Sequence, residues 1–111
     1  MKLNLRSVDL NLLTIFDAIM AHGQMSKAAN ALHMTQPATS HALKRLRLTF
    51  DDELFIRSRQ GMKPTPRASE IAGPIREILS KIQDTLDTGQ PFNPAASERG
   101  FKIAFGRYGE L

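Results

Sequence analysis

The side chains best suited to chemistry share one side of a helix between residues 36 and 45. At 3.6 residues per turn, that side carries a proline, a hydroxyl, an imidazole and two cations. Hydroxyl and imidazole groups can hydrogen-bond base edges, and cations bind phosphates. The pattern therefore indicates a surface for nucleic acid, and the solvated face of an ordinary amphipathic helix is the alternative. The residues of this polar side are Pro37, Ser40, His41, Lys44 and Arg45.

The opposite side of the same helix is mostly apolar, and we expect it to face a hydrophobic core. Thr39 falls on this side, so we exclude it from the surface for nucleic acid. The residues of the core side are Thr39, Ala42, Leu43, Leu46 and Phe50.

Two capping signals divide residues 25–44 into two helices. Ser26 is predicted to cap a short first helix, and Thr35 to cap the second. Gln36 and Pro37 then occupy the first turn, where the missing N–H of proline costs nothing. Two helices joined by a tight turn predict a helix-turn-helix, in which the second helix enters the major groove of DNA.

A further helix is predicted before this motif, between Asp9 and His22. Asp9 is the expected N-cap, and Gly23 is the expected residue after the helix. Its apolar residues recur at helical spacing, so the helix should cover the other two. These apolar residues are Leu12, Leu13, Phe16, Ile19 and Met20.

A hairpin is predicted after the helix-turn-helix. The acidic residues 51–53 end the second helix, and residues 54–57 combine apolar and β-branched side chains as a strand does. Residues 58–61 supply a turn, and residues 62–64 return as a second strand. After a helix-turn-helix such a hairpin is a wing, whose cations suit the minor groove or nearby phosphates. A solvated surface hairpin is the alternative. The wing cations are Arg59 at the tip, with Arg57 and Lys63 nearby.

A long helix is predicted to start at Thr65 and Pro66 and to continue to about Asp87. Its apolar stripe is close to a coiled-coil seam, so we expect pairing with a second copy of the chain, and packing on its own domain is the alternative. Pro74 predicts either a kink or an interruption. The residues assigned to dimerisation are Ile71, Ile75, Ile78, Leu79, Ile82 and Leu86.

The remaining residues are predicted to form a hinge over 88–98 and a strand within 99–111, where Phe101, Ile103 and Phe105 alternate. A single strand without a partner is not stable, so we expect the chain to be the front part of a longer protein. The predicted organisation is a mainly α fold. Its parts are a winged helix-turn-helix over 1–64, a linker helix over 65–87, the hinge, and the truncated start of an α/β domain.

Composition sets further limits. The chain has 111 residues, 41% of them hydrophobic, no cysteine and a formal net charge of +4. The stretch from His41 to Arg67 holds seven basic and three acidic side chains, an excess equal to that net charge. We expect one modest core, no membrane span, no secretion signal and a cytoplasmic location. The three histidines lack metal-ligand spacing, and nothing resembles a catalytic constellation, so we expect neither a metal site nor an enzyme.

Five segments, in this order and at this spacing, resemble the LysR-type transcriptional regulators, a bacterial family. The first and last of them are most similar to the branch that contains the nodulation activators and the leucine-operon regulator. The five segments are residues 9–13 (Asp-Leu-Asn-Leu-Leu), 26–29 (Ser-Lys-Ala-Ala), 35–38 (Thr-Gln-Pro-Ala) with Ser40, 54–57 (Leu-Phe-Ile-Arg) and 64–68 (Pro-Thr-Pro-Arg-Ala).

The resemblance implies a winged helix-turn-helix regulator that binds an interrupted inverted repeat in double-stranded DNA. It implies a homodimer, formed by antiparallel linker helices, or a tetramer. RNA polymerase at promoters and the bacterial nucleoid are the further associations it implies. No cofactor is expected in this part of the chain, whereas a small-molecule effector is implied for a C-terminal domain of the periplasmic-binding-protein type.

The family's base contacts correspond to Gln36, Pro37 and His41, and its phosphate-contacting serine corresponds to Ser40. His41 stands where some members have arginine, so a strong guanine contact is in question there and base reading is expected to be pH-sensitive. The rival interpretation is a winged-helix module for protein association. The complete set predicted to contact DNA is Ser26, Thr35, Gln36, Pro37, Ser40, His41, Lys44, Arg45, Arg57, Arg59 and Lys63.

Overall fold

The computed structural model describes residues 5–87. A short 3₁₀ helix over Leu5–Ser7 is followed by three α-helices, a two-stranded antiparallel sheet and a long fourth helix. Of the described residues, 5–81 form one compact unit, and α4 from Ile82 onward belongs to a second. The predicted hinge and the final strand lie outside the described residues. The elements are α1 (Leu12–His22), α2 (Met25–Leu32), α3 (Gln36–Phe50), β1 (Phe55–Ser58), β2 (Gly61–Pro64) and α4 (Pro66–Asp87).

The predicted helix before the motif exists, but it begins later than expected. Asn11, not Asp9, is the N-cap of α1, and its side chain makes no capping hydrogen bond. The carboxylate of Asp9 instead accepts a hydrogen bond from the backbone N–H of Asn11 at 3.0 Å. At the other end the prediction is confirmed, because Gly23 has a φ of +72° and donates its N–H to the Ile19 carbonyl at 2.8 Å.

The helix-turn-helix is confirmed, with one correction at its start. Ser26 does not cap α2, because the helix begins one residue earlier, at the buried Met25, with Gln24 as its N-cap. Thr35 caps α3 as predicted, and its Oγ1 accepts a hydrogen bond from the Ala38 N–H at 3.1 Å. The core side of α3 is confirmed too: Thr39 is fully buried, and its hydroxyl donates to the Thr35 carbonyl at 2.9 Å.

The hydrophobic core lies between the three helices, the base of the hairpin and the first half of α4. Phe16 and Phe55 meet with ring centroids 5.2 Å apart and planes inclined at 47°. An aromatic pair of this kind adds about 0.5–1.5 kcal/mol to the effect of burial. The core residues are Leu12, Ile15, Phe16, Ile19, Met25, Ala28, Ala42, Leu43, Leu46, Leu54, Phe55, Met62, Ala68 and Ile75.

The hairpin is confirmed, with register from Phe55↔Pro64 to Ser58↔Gly61. It docks through backbone: the Met62 N–H donates to the Gly23 carbonyl, in the loop between α1 and α2, at 2.7 Å. Gly61 has a φ of +118°, and a Cβ there would collide with the same carbonyl oxygen. Only glycine therefore fits at the start of β2 without a shift of the backbone.

Three polar side chains tie the hairpin to its flanking helices. Asp52 accepts hydrogen bonds from the Leu54 N–H at 2.8 Å and from the Thr65 hydroxyl at 2.7 Å. Thr65 also caps α4, as predicted, by accepting from the Ala68 N–H at 3.1 Å. Arg47, near the end of α3, donates to the carbonyls of Glu53 and Phe55, both at 2.7 Å.

The fourth helix continues through Pro74, so the predicted interruption is wrong. Within the described residues, part of its apolar stripe is buried and part is exposed. Ile75 is buried in the core, with Ile71 and Leu79 packed against it. Ile75 is thus covered by its own domain, whereas Ile71 and Leu79 are only partly buried, and the assignment of this stripe to dimerisation stays a prediction. The exposed members are Ile78 (45%), Ile82 (43%) and Leu86 (70%).

An ion pair also joins α4 to α1. The Arg76 guanidinium donates two hydrogen bonds to one oxygen of Asp17, at 3.3 and 3.4 Å. The pair joins residues 59 positions apart in sequence. Among residues 5–87, no helix has both the length and the apolar character needed to cross a membrane.

Candidate nucleic-acid interface

The polar side of α3 is exposed throughout. Gln36 and Pro37 form its first turn, and Ser40, His41 and Lys44 follow along the same side. The position of these side chains depends on the opposite side of α3, where Leu43 and Leu46 are buried in the core. A helix anchored on one side in this way holds its exposed side at a fixed angle to the domain.

Arg45 lies on the same side but already has a partner. Its guanidinium contacts a carboxylate oxygen of Asp9 at 3.3 Å, and both side chains are substantially exposed. Exposed pairs of this kind contribute about 0–1 kcal/mol, so phosphate can compete for the guanidinium. Asp9, predicted as a helix cap, thus holds Arg45 beside the exposed side of α3.

The two hydroxyl residues predicted at the helix starts are both exposed. Ser26 lies in the first turn of α2 without a capping role. Thr35 uses its oxygen to cap α3, which leaves its O–H proton as a donor.

The wing cations do not form one cluster. Arg59 lies in the two-residue turn, whereas Arg57 pairs with Met62 across the hairpin and Lys63 pairs with Ile56. Cross-strand partners share a face of a sheet and successive residues alternate, so Arg57 and Lys63 lie on opposite faces. All three cations are exposed.

Two of the seven basic residues between His41 and Arg67 interact with other parts of the domain. Arg47 is committed to two carbonyls of the loop before the wing, as described above. Arg67, in the first turn of α4, contributes to the electrostatic environment of Asp52. Sequence reasoning missed the Asp52–Thr65 hydrogen bond because the two residues lie 13 positions apart and no local pattern joins them.

The surroundings of Asp52 lower the pKa of its carboxyl group. The Thr65 hydroxyl and then the Leu54 N–H donate to its carboxylate and hold its pKa below the ordinary value of 3.8. Nearby Arg67 lowers it further, while partial desolvation opposes the shift. The charged carboxylate is thereby stabilised at the joint between α3, the wing and α4.

Side chains that could bind a metal ion do not cluster in the part of the chain that the structure describes. Residues 5–87 contain no group of three or more His, Cys, Asp or Glu side chains able to hold a metal ion. The chemistry that the interface offers is hydrogen bonding and cationic attraction.

A helix-turn-helix followed by a two-stranded wing and a long helix defines the winged helix-turn-helix class of domain. The profile of the family described as bacterial regulatory helix-turn-helix protein, LysR family, matches residues 10–69. The chain belongs to this family, and the resemblance found in the sequence is confirmed.

Solved structures agree with this assignment. A probable transcriptional regulator from Pseudomonas aeruginosa is 43% identical, with a TM-score of 0.74 over 81% of this chain and 30% of that one. The DNA-binding domain of CbnR, solved in complex with DNA, is 26% identical. Its TM-score is 0.67 over 74% of this chain and 94% of that one.

Curated relatives include transcriptional regulators and nodulation proteins. The transcriptional regulator LeuO of Escherichia coli is 48% identical over 92% of this chain and 32% of its own length. Nodulation protein D 2 of Rhizobium tropici is 41% identical over 93% of this chain and 33% of its own length. The chain thus spans about a third of the length of these relatives.

Proposed function

We propose that this chain is the DNA-binding part of a sequence-specific transcriptional regulator, and that α3 is its recognition helix. The observation that carries the proposal is the continuous exposed polar side of α3, held by a core on the opposite side. The likeness to a DNA-binding domain solved with DNA supports it. A protein-association module has no comparable support among the relatives.

The exposed side of α3 divides by chemistry into base readers and phosphate contacts. Residues near the N-terminus of a recognition helix reach base edges, which assigns base reading to Gln36, Pro37 and His41. Ser40 and Lys44 lie where the helix meets the backbone of DNA, and Arg45 joins them by exchanging Asp9 for a phosphate. Ser26 and Thr35 add hydroxyl donors at the starts of the two helices.

The wing supplies cations beside the recognition helix. Arg59 at the turn is placed to enter the minor groove or to contact phosphate, and Arg57 and Lys63 extend the positive charge on either face of the hairpin. Such contacts add affinity without reading the sequence directly, so they make binding depend on salt.

Dimerisation is assigned to the exposed half of the apolar stripe. Ile78, Ile82 and Leu86 follow at intervals of four residues on α4, and all three are exposed in the single chain. A second α4 covering them would produce a homodimer with two recognition helices, suited to an interrupted inverted repeat. The proposal also includes tetramers and contact with RNA polymerase. It further includes a cytoplasmic, nucleoid-associated location and an effector domain beyond this chain.

A shift assay at two salt concentrations tests the proposal. Genomic fragments from around the regulator's own gene should contain a site bound more tightly than competitor DNA, and the affinity should fall steeply as salt rises. Footprinting of that site should show two protected half-sites about one helical turn apart or a multiple of it. Equal affinity for all fragments would refute sequence-specific binding.

Arg59→Ala sharpens the same assay. Loss of one phosphate contact should weaken binding to all sequences alike and reduce the magnitude of the salt slope by about 1. Gln60→Ala, in the same turn, is the matched control and should leave the slope unchanged. An unchanged slope for Arg59→Ala would place that side chain away from DNA.

A further inference from the structure

His41 is the one imidazole on the exposed side of α3. It lies in the second turn, adjacent to Ser40 and one turn before Lys44 and Arg45. Within residues 5–87 no hydrogen bond or ion pair engages its ring. The imidazole is therefore available to a ligand in either protonation state.

The charged groups around His41 come from α3 and from the two helices packed on it. On α3 the neighbouring charges are the cations Lys44 and Arg45. The charged or titratable side chains of α1 are Asp17, which pairs with Arg76, and His22, while α2 contributes Lys27. Asp9, before α1, is paired with Arg45. No carboxylate lies within one turn of His41 on α3.

Duplex DNA would reverse this environment. Phosphates on both sides of the major groove favour the protonated ring, so binding is expected to be linked to proton uptake at this position. Histidine is the side chain that ordinarily changes charge between about pH 5 and 8, which places the effect in an accessible range.

Protonation also changes what the ring can read. A neutral imidazole offers one donor and one acceptor, whereas an imidazolium offers two donors and no acceptor. In the major groove guanine presents two acceptors, and adenine presents one acceptor and one donor. The neutral ring can therefore match either purine. The charged ring favours guanine, because guanine presents two acceptors to its two donors whereas adenine presents one acceptor.

We propose that His41 is a specificity-determining residue whose protonation shifts its base preference toward guanine. The proposal rests on the proposed function, because it requires α3 to lie in the major groove. It assigns the chain a proton-dependent choice of DNA site, made by a single exposed side chain.

Selection from a randomised duplex library at about pH 6 and about pH 8 tests the proposal. With the wild-type chain, the ratio of guanine to adenine at one position per half-site should be roughly tenfold higher at the lower pH. The other positions of the selected site should not change in the same way.

Three variants test whether the pH-dependent base preference comes from His41. His41→Arg should select guanine at both pH values, and His41→Gln should select the same base at both. His22→Gln, at the exposed end of α1, is the matched control and should behave as the wild type does. Both substitutions at position 41 are exposed and helix-compatible, so the fold should be retained.

Two results would overturn the assignment of His41: a wild-type chain that selects the same base at both pH values, or a His41→Gln variant that keeps the shift. A library from which no sequence is enriched at either pH would instead overturn the proposed function itself. The two failures are therefore distinguishable.

Discussion

The recognition helix and the wing are positioned by different means. α3 is held by buried side chains, with Thr39 and Leu46 fully inside the core. The wing shares that core through Phe55 and Met62 at its base, and it is further held by a backbone hydrogen bond from Met62 to Gly23 and by polar contacts around Asp52. An amphipathic period therefore anchors one half of the interface, whereas backbone geometry adds to core burial in anchoring the other.

The largest effect is expected where the recognition helix meets the core. Leu46→Ala should lower the free energy of unfolding by about 2–5 kcal/mol, because it removes buried methyl groups and leaves a cavity. Leu48→Ala on the same helix is the matched control: Leu48 is 79% exposed, and its replacement should change stability by about 0.5 kcal/mol or less. Urea unfolding of both variants measures the difference, and equal losses would refute anchoring by the core side.

Gly61→Ala tests the backbone anchor of the wing. The positive φ and the collision with the Gly23 carbonyl should together cost about 1–3 kcal/mol of stability, or displace β2. Gly73→Ala is the matched control, because a Cβ there meets nothing within 4 Å and alanine favours a helix. Gly61→Ala should lower both the midpoint temperature of thermal unfolding and the affinity for DNA. A variant as stable as the wild type would contradict the role of this backbone contact in holding the wing.

Gln36→Ala tests base reading without disturbing the core side of α3 or the contacts that hold the wing. It should leave unfolding nearly unchanged but cost about 1–3 kcal/mol of binding free energy on the preferred site, with smaller losses on other sites. Competition shift assays measure the discrimination. If the order of site preference were unchanged, Gln36 would lose its role as a base reader.

The smallest expected effect is a pH dependence at the joint between the helix and the wing. The pKa of Asp52 is lowered in the folded chain, so its stabilising contribution is complete above the ordinary value of 3.8 and is lost as the pH falls through the lower folded value. Unfolding measured from about pH 6 down to about pH 2 should therefore converge for the wild type and Asp52→Asn at the acid end. Parallel curves would show that Asp52 does not contribute in this way.

Sequence patterns predicted α3 well because its determinants are local. The Thr35 cap, Pro37 in the first turn and the 3.6-residue period all lie within the helix, and each is confirmed. The hairpin was predicted for a similar reason, since its strands and turn are consecutive.

The errors arise where distant contacts override local signals. The buried Met25 belongs to α2, so that helix begins before Ser26. Asn11 rather than Asp9 is the N-cap of α1, and Asp9 instead contacts the distant Arg45. The apolar stripe of α4 gave no sign that Ile75 would enter its own core while Ile78 stays exposed, because both belong to one helical period. The hydrogen bonds of Arg47 to the carbonyls of Glu53 and Phe55 were not predicted either, because no sequence pattern shows that the loop after α3 returns to this side chain.

The hydrogen bond between Met62 and Gly23 joins two main chains and uses no side chain from the tip of the wing. Arg59 and Gln60 can therefore be replaced by other residues while the hairpin stays docked on the loop between α1 and α2. A domain built in this way can acquire a new groove contact by point mutation at the tip without rebuilding its scaffold, which makes the wing an adaptable part of the interface over evolutionary time.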